Sequence, residues 1–261
     1  MRLHSLVMGE GTDGLPPVVL LHGLFGSARN FGTLQKSLAA TGKRVVALDL
    51  RNHGGSPHDE DTAYAAMAAD VVETLADMEA LPCRLLGHSM GGKVAMRLAL
   101  DQPAHVERLI VADIAPVAYR HANQAIAAAM LALPLRPGMT RAEASAALAD
   151  TVTDPGVRSF LLLNLRLGAG EDPGWQIGLS ELAAGMDAIQ GWEDGGPRYE
   201  GPSLFVAGGK SDYVPPSAHD AIRALFPRAT MAVLPKAGHW LHAEDPTGFL
   251  ATILPFLEAE R

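Results

Sequence analysis

One cysteine, Cys83, stands in a chain of 261 residues. That excludes an intramolecular disulfide and leaves a lone thiol at the start of an apolar run, where packing is its ordinary role. No basic block offsets the net charge of −8, so the electrostatic footprint of nucleic-acid binding is missing. The longest apolar run, Ala125 to Leu135, is broken by Pro134 and falls short of the ~20 residues that a membrane span needs. The first residues include Arg2, Glu10 and Asp13 and no long apolar core, which argues against a secretory signal. Internal repeats and low-complexity linkers are absent as well. Apolar residues at 48% with charged residues at 19% suit a globular core rather than disorder. These absences predict a cytoplasmic globular protein with no nucleic-acid partner and no membrane span, a monomer or small homo-oligomer.

What is present is an alternation of short apolar runs and longer amphipathic stretches. Residues 2–8, 18–21, 45–50, 83–87, 108–113, 203–207 and 230–234 read as strands, several of them continuous apolar runs of the kind buried on both faces of a parallel sheet. Helices are predicted at 30–40, with Phe31, Leu34 and Leu38 on one stripe, and at 62–81, with Met67, Val71, Leu75 and Met78 on one face. Asp61 or Thr62 is positioned to cap the second. Further helices are predicted at 90–101, 216–226 and 247–260. The alternation argues for a parallel, doubly covered sheet. It stops between residues 117 and 201, where Ala/Leu-rich helical segments (120–133, 140–150, 155–167 and 176–190) replace strands. That stretch is too long for a loop. It reads as a helical cap inserted over the sheet's carboxyl edge, the core being residues 1–116 and 202–261.

The chain is organised around Leu85 to Lys93 (LLGHSMGGK). An apolar strand ends there and a helix begins, with a serine between glycines at −2 and +2. This is the nucleophile-elbow pattern, in which a sharp turn lifts the serine hydroxyl clear of the sheet. The same residues read G-x-x-x-x-G-K, a phosphate-cradling loop, and Leu109 to Asp113 resembles a strand ending in a magnesium-orienting acid. That reading fails at Val94, where a metal-binding Ser or Thr belongs, and leaves Lys93 as a helix-surface charge.

Acyl chemistry on a serine needs a base, an anion to orient it and donors for the oxyanion. Ser89 is the candidate nucleophile. His239, in a loop past a late strand, is the candidate base. His242 follows it in a less loop-like setting, and His22, His53 and His88 are expected to be structural or pocket-lining. Two strand ends offer the anion: Asp212, where the chain order Ser…Asp…His usually places it, and Asp113, one strand from the nucleophile. The oxyanion donors are predicted to be the backbone N–H groups of Met90, at a helix N-terminus, and Leu24, with Phe25 as neighbouring candidate. Phe25, His88 and Trp240 are the candidate substrate-binding residues, pointing to an uncharged acyl group. Arg51, His53 and Arg120 are alternatives for an anionic end, each more ordinary as a solvated surface group.

Val18 to Gly26 (VVLLHGLFG), Asp49 to Ser56 (DLRNHGGS), Gly87 to Lys93, Asp113 to Pro116 (DIAP) and Ala237 to Ala243 (AGHWLHA) together resemble the α/β-hydrolase superfamily. More narrowly, they resemble its small bacterial esterase branch related to the mammalian abhydrolase-domain protein 11. The resemblance runs from about residue 3 to 258. It implies a mostly parallel eight-stranded sheet with helices on both faces and a helical cap, no cofactor and no metal. It implies hydrolysis of carboxylic esters or thioesters of short to medium acyl chains through an acyl-enzyme on Ser89. In that branch the Asp-Ile-Ala-Pro aspartate belongs to the signature and the position of Asp212 need not be acidic, which favours Asp113. Acyl transfer or perhydrolysis from the same intermediate, or ligand binding without catalysis, are the alternatives.

Overall fold

A computed structural model describes residues 1–119, 122–168, 172–193 and 196–259. In chain order its elements are β1 (Ser5–Met8), β2 (Val18–Leu21), α1 (Gly32–Ala39), β3 (Val45–Leu48), α2 (Tyr64–Asp77), β4 (Cys83–His88), α3 (Met90–Asp101) and β5 (Val106–Ala112). Then come α4 (Asn123–Leu131), α5 (Arg141–Ala147), α6 (Pro155–Leu162), β6 (Leu165–Arg166), β7 (Gly174–Trp175), α7 (Leu179–Ala184) and α8 (Met186–Gln190). The chain closes with β8 (Ser203–Gly208), α9 (His219–Leu225), β9 (Ala229–Leu234), α10 (Leu241–Glu244) and α11 (Pro246–Glu258).

The main sheet has the order β1-β3-β2-β4-β5-β8-β9. All neighbours pair in parallel except β1, which runs antiparallel to β3. Strands β2, β3, β4 and β8 are buried at every residue, as a sheet covered on both faces requires. Their alternating side chains feed two cores. Val19, Leu21, Leu85 and Val111 join α2 and α3 on one face. Val18, Leu20, Leu86 and Ile110 join α1 and α11 on the other.

The seven strands read from the apolar runs all take their places. The eighth strand implied by the resemblance is not among the described residues. Gly9, Gly11 and Gly14, all at positive φ, and Pro16-Pro17 turn the chain between β1 and β2, and such residues break strand pairing. The helix expected at 155–167 stops at Leu162, because Leu165-Arg166 pairs antiparallel with Gly174-Trp175 in a two-stranded ribbon. The helix expected at 176–190 divides at Gly185 into α7 and α8. Neither Asp61 nor Thr62 caps α2. Its N-cap is Ala63, without a side-chain bond, and the Thr62 hydroxyl donates instead to the Gly185 carbonyl (3.3 Å). Among the described residues no helix is long and apolar enough to cross a membrane.

Candidate active site

Strand β4 ends at His88 and α3 begins at Met90, so the reversal takes place on Ser89 alone. Its backbone is forced to φ 53°, ψ −121°, a conformation costing about 1–3 kcal/mol for a non-glycine residue. The flanking glycines make the turn possible. A Cβ on Gly87 would collide with the Gly91 carbonyl, and one on Gly91 with the carbonyls of Leu21 and His22. The reversal leaves Ser89 half-buried beneath a cavity, at the N-terminus of a twelve-residue helix.

His239 lies in the loop between β9 and α10 and meets the serine there. Its Nε2 is 3.0 Å from Ser89 Oγ, and its Nδ1 is 2.7 Å from Asp113 Oδ2. Asp113 is fully buried just past β5, at φ 53°. Its other oxygen, Oδ1, accepts from the Gly208 amide (2.8 Å), and the Ser211 hydroxyl donates to Oδ2. The last residue of β8 and the loop after it therefore supply hydrogen-bond donors to the acid at the end of the neighbouring strand. Asp212, in the same loop, is exposed. The two strand-end aspartates read from the sequence thus separate: Asp113 joins Ser89 and His239, and Asp212 does not contact the imidazole.

The histidine loop is held from three sides. His88 Nε2 is 2.8 Å from the His239 carbonyl, to which it donates. The Glu244 carboxylate accepts from the amides of Gly238 (2.7 Å) and Trp240 (3.2 Å). The Tyr213 ring stacks on the His239 ring, with centroids 3.9 Å apart and planes 18° from parallel. Burial pushes the Tyr213 hydroxyl pKa up to about 12, so it stays neutral. Nothing in the sequence marks Glu244, Tyr213 or Ser211: Glu244 acts through the local amides of Gly238 and Trp240, and Ser211 and Tyr213 act through groups that the fold brings close.

The four other histidines weighed from the sequence, His22, His53, His88 and His242, are buried and neutral. Burial lowers the pKa of His22, takes His53 down to about 3 and His242 to about 4, and holds His88 well below its ordinary value. Backbone partners decide two tautomers. His22 accepts the Leu50 amide on Nε2 (3.0 Å) and donates from Nδ1 to the Gly23 carbonyl (2.8 Å). His53 accepts the Phe25 amide on Nε2 (3.1 Å) and donates from Nδ1 to the Arg51 carbonyl (2.8 Å). The Phe25 N–H is therefore committed, which leaves Leu24 as the amide of this loop available to an oxyanion. Phe25, His88 and Trp240 all line the cavity of about 280 Å³ above Ser89, together with Ile126, Val157 and Phe160 from the 117–201 stretch.

A family model described as alpha/beta hydrolase fold matches residues 16–246. The chain belongs to the α/β-hydrolase family. The sn-1-specific diacylglycerol lipase ABHD11 of Mus musculus is 42% identical to this hydrolase over 261 residues, covering 97% of the chain and 84% of that protein. Esterase YbfF of Escherichia coli is 38% identical over 242 residues, covering 92% of each. Among solved structures, a marine microorganism esterase superposes with a TM-score of 0.93 at 33% identity, covering 98% of this chain and 99% of the other.

Three titratable groups of the hydrolase differ from their sequence reading. Lys93 is buried, not a helix-surface charge: its ammonium donates to the carbonyls of Gly191 (2.6 Å) and Gln190 (3.2 Å) and lies 4.9 Å from the Tyr119 ring centroid. Burial lowers its pKa to about 7. Those contacts turn it away from any phosphate, and a one-residue turn has no loop to wrap one, so the phosphate-cradle reading fails. Arg51 is buried in an ion pair with Asp70 (2.6 Å), and His53 is enclosed as above, so neither is solvated. Arg120 lies outside the described residues.

Proposed function

We propose that the chain is a serine hydrolase of carboxylic esters or thioesters, with Ser89 as nucleophile, His239 as base and Asp113 as orienting acid. The observation that carries this reading is the unbroken line of contacts from Asp113 Oδ2 to His239 (2.7 Å) and from His239 to Ser89 Oγ (3.0 Å). Asp113 fixes the tautomer with the proton on Nδ1, leaving Nε2 free to take the serine proton as Oγ attacks the acyl carbon. The oxyanion forms beside the amides of Met90 and Leu24, where the helix N-terminus favours negative charge. His239 then returns the proton to the leaving alcohol or thiol. Water attacks the acyl-enzyme with the same base, releasing the acid.

The names of the relatives, lipase and esterase, support an ester substrate. Two features of the cavity support its character. A volume of about 280 Å³ sits at the small end of ligand pockets and favours short to medium acyl chains. Its lining, among the described residues, holds no Asp, Glu, Lys or Arg, which favours an uncharged acyl group. In this reading residues 117–201 are a cap, since Ile126, Val157 and Phe160 supply part of the cavity's apolar wall. Acyl transfer to an alcohol or peroxide uses the same intermediate and differs only in the acceptor.

The test is hydrolysis of p-nitrophenyl acetate and butyrate, with labelling by a fluorophosphonate probe. The expected result is turnover and labelling in the wild type, both lost in Ser89→Ala. Equal, negligible rates for the two proteins across a panel of esters and acyl-CoA thioesters would overturn the reading.

A further inference from the structure

Three non-glycine residues at this site hold positive φ: Ser89, Asp113 and Phe25. The first two belong to the proposed triad. Phe25 touches no reacting atom, yet its conformation decides how the loop before it is shaped. The Gly26 amide donates to the Gly23 carbonyl (3.0 Å), closing a four-residue turn with Leu24 and Phe25 at its centre. Phe25, at φ 61°, occupies the third position, where type II turns take glycine. A phenylalanine there is strained and persists only where its surroundings over-determine it.

Two side chains supply that constraint, from opposite directions. His53, in the sheet-edge loop after β3, accepts the Phe25 N–H as described above. Asn164, between α6 and β6, donates from Nδ2 to the Phe25 carbonyl (2.7 Å) and to the Leu161 carbonyl (3.2 Å). Both acceptors are carbonyl oxygens, so the amide nitrogen must face them. Asn164 is only 6% exposed, and its backbone carbonyl accepts the backbone amide of Gln176 (2.8 Å), just past β7, which ties its backbone to the ribbon. It is thus a rigid donor carried by the 117–201 stretch and aimed at the loop that bears the Leu24 amide.

We propose that Asn164 is a positioning residue that completes the oxyanion site from the cap, by clamping Phe25 in the left-handed conformation that aims the Leu24 N–H at the developing oxyanion. The inference rests on the serine-hydrolase reading above. It makes the oxyanion site a joint product of core and cap: the core contributes His53 and the turn, and the cap contributes the second bond. Removing that bond lets Phe25 relax toward ordinary φ, which reshapes the turn and carries the Leu24 amide off its target. A misplacement on the order of 1 Å at a reacting group costs about 100-fold, and outright loss of one oxyanion donor about 10²–10³-fold.

The experiment compares wild type, Asn164→Leu and Asn164→Asp, both close in size to asparagine and neither able to donate from an amide. The measurements are kcat and KM on p-nitrophenyl butyrate, affinity for a trifluoromethyl ketone that adds to Ser89 as a tetrahedral oxyanion, and melting temperature. The expected result is a fall in kcat of about 10- to 100-fold with KM within about twofold. Ketone affinity falls by the same factor in at least one variant that melts near the wild type. Unchanged kcat and ketone affinity in a folded variant overturn the proposal, as do parallel losses in kcat, KM and melting temperature, which mark a purely structural role. If the wild type itself hydrolyses no ester and Ser89 goes unlabelled, the serine-hydrolase reading falls and this inference with it. An active wild type, an inactive Ser89→Ala and a normal Asn164→Leu overturn this inference alone.

Discussion

Asp113 directly follows β5 and Asp212 lies four residues past its parallel neighbour β8, yet the fold treats them differently. Asp113 is withdrawn from solvent and gathers an amide, a hydroxyl and an imidazole around its carboxylate. Asp212 sits in water, one residue from the Ser211 hydroxyl that serves Asp113. A carboxylate orients a histidine when it is itself held and desolvated, and the end of β8 with the loop after it supplies the donors that hold Asp113 while leaving Asp212 exposed. The place of the acid along the chain is therefore less informative than the donors that surround it.

The largest effect that would break this comparison is on Asp113 itself. Asp113→Asn is expected to lower kcat by roughly 10⁴-fold, the loss seen when the orienting acid of a serine protease becomes an amide. Steady-state turnover on p-nitrophenyl butyrate measures it, and a near-normal rate reverses the assignment. Ser211→Ala sharpens the comparison: it removes one donor to a buried charged group, worth about 1.5–3 kcal/mol, and is expected to lower kcat about tenfold or more without changing KM. The smallest effect is expected at the other aspartate. Asp212→Asn should leave kcat within about twofold, as an exposed turn residue does.

A further contrast is between the exposed surface and the enclosed His53 and His242. Their folded pKa values lie near 3 and 4, below the ordinary 6.5. The unfolded chain therefore binds more protons than the folded one between those limits. Stability is full above pH 6.5 and falls as pH drops through 6.5, until the folded pKa of each is reached. Each such histidine contributes a slope of about 1.4 kcal/mol per pH unit. Urea midpoints between about pH 7 and pH 5 should show the fall, and His242→Gln should reduce the slope by about one proton.

Much of this was legible from residue order. Continuous apolar runs became buried parallel strands, and the Gly87 and Gly91 spacing became a one-residue reversal, because each follows from local sterics and burial. The short ribbon Leu165-Arg166 with Gly174-Trp175 was not, since a two-residue strand carries no periodicity. Lys93 looked like a surface charge because its solvation is replaced by the carbonyl of Gln190, 97 residues away. Arg51 was misread for the same reason, its partner Asp70 lying 19 residues away on α2.

Sequence alone determined that the chain alternates strand and helix, that a serine crowns the sheet's carboxyl edge, and that His239 follows the last strand, because these depend on neighbours a few positions apart. Only the tertiary structure decided which aspartate stands behind His239, that Phe25's amide is spent on His53, and that Asn164 reaches the same loop from the other side. Those outcomes depend on hydrogen bonds made within about 3 Å between segments far apart in the chain, and no local pattern encodes them.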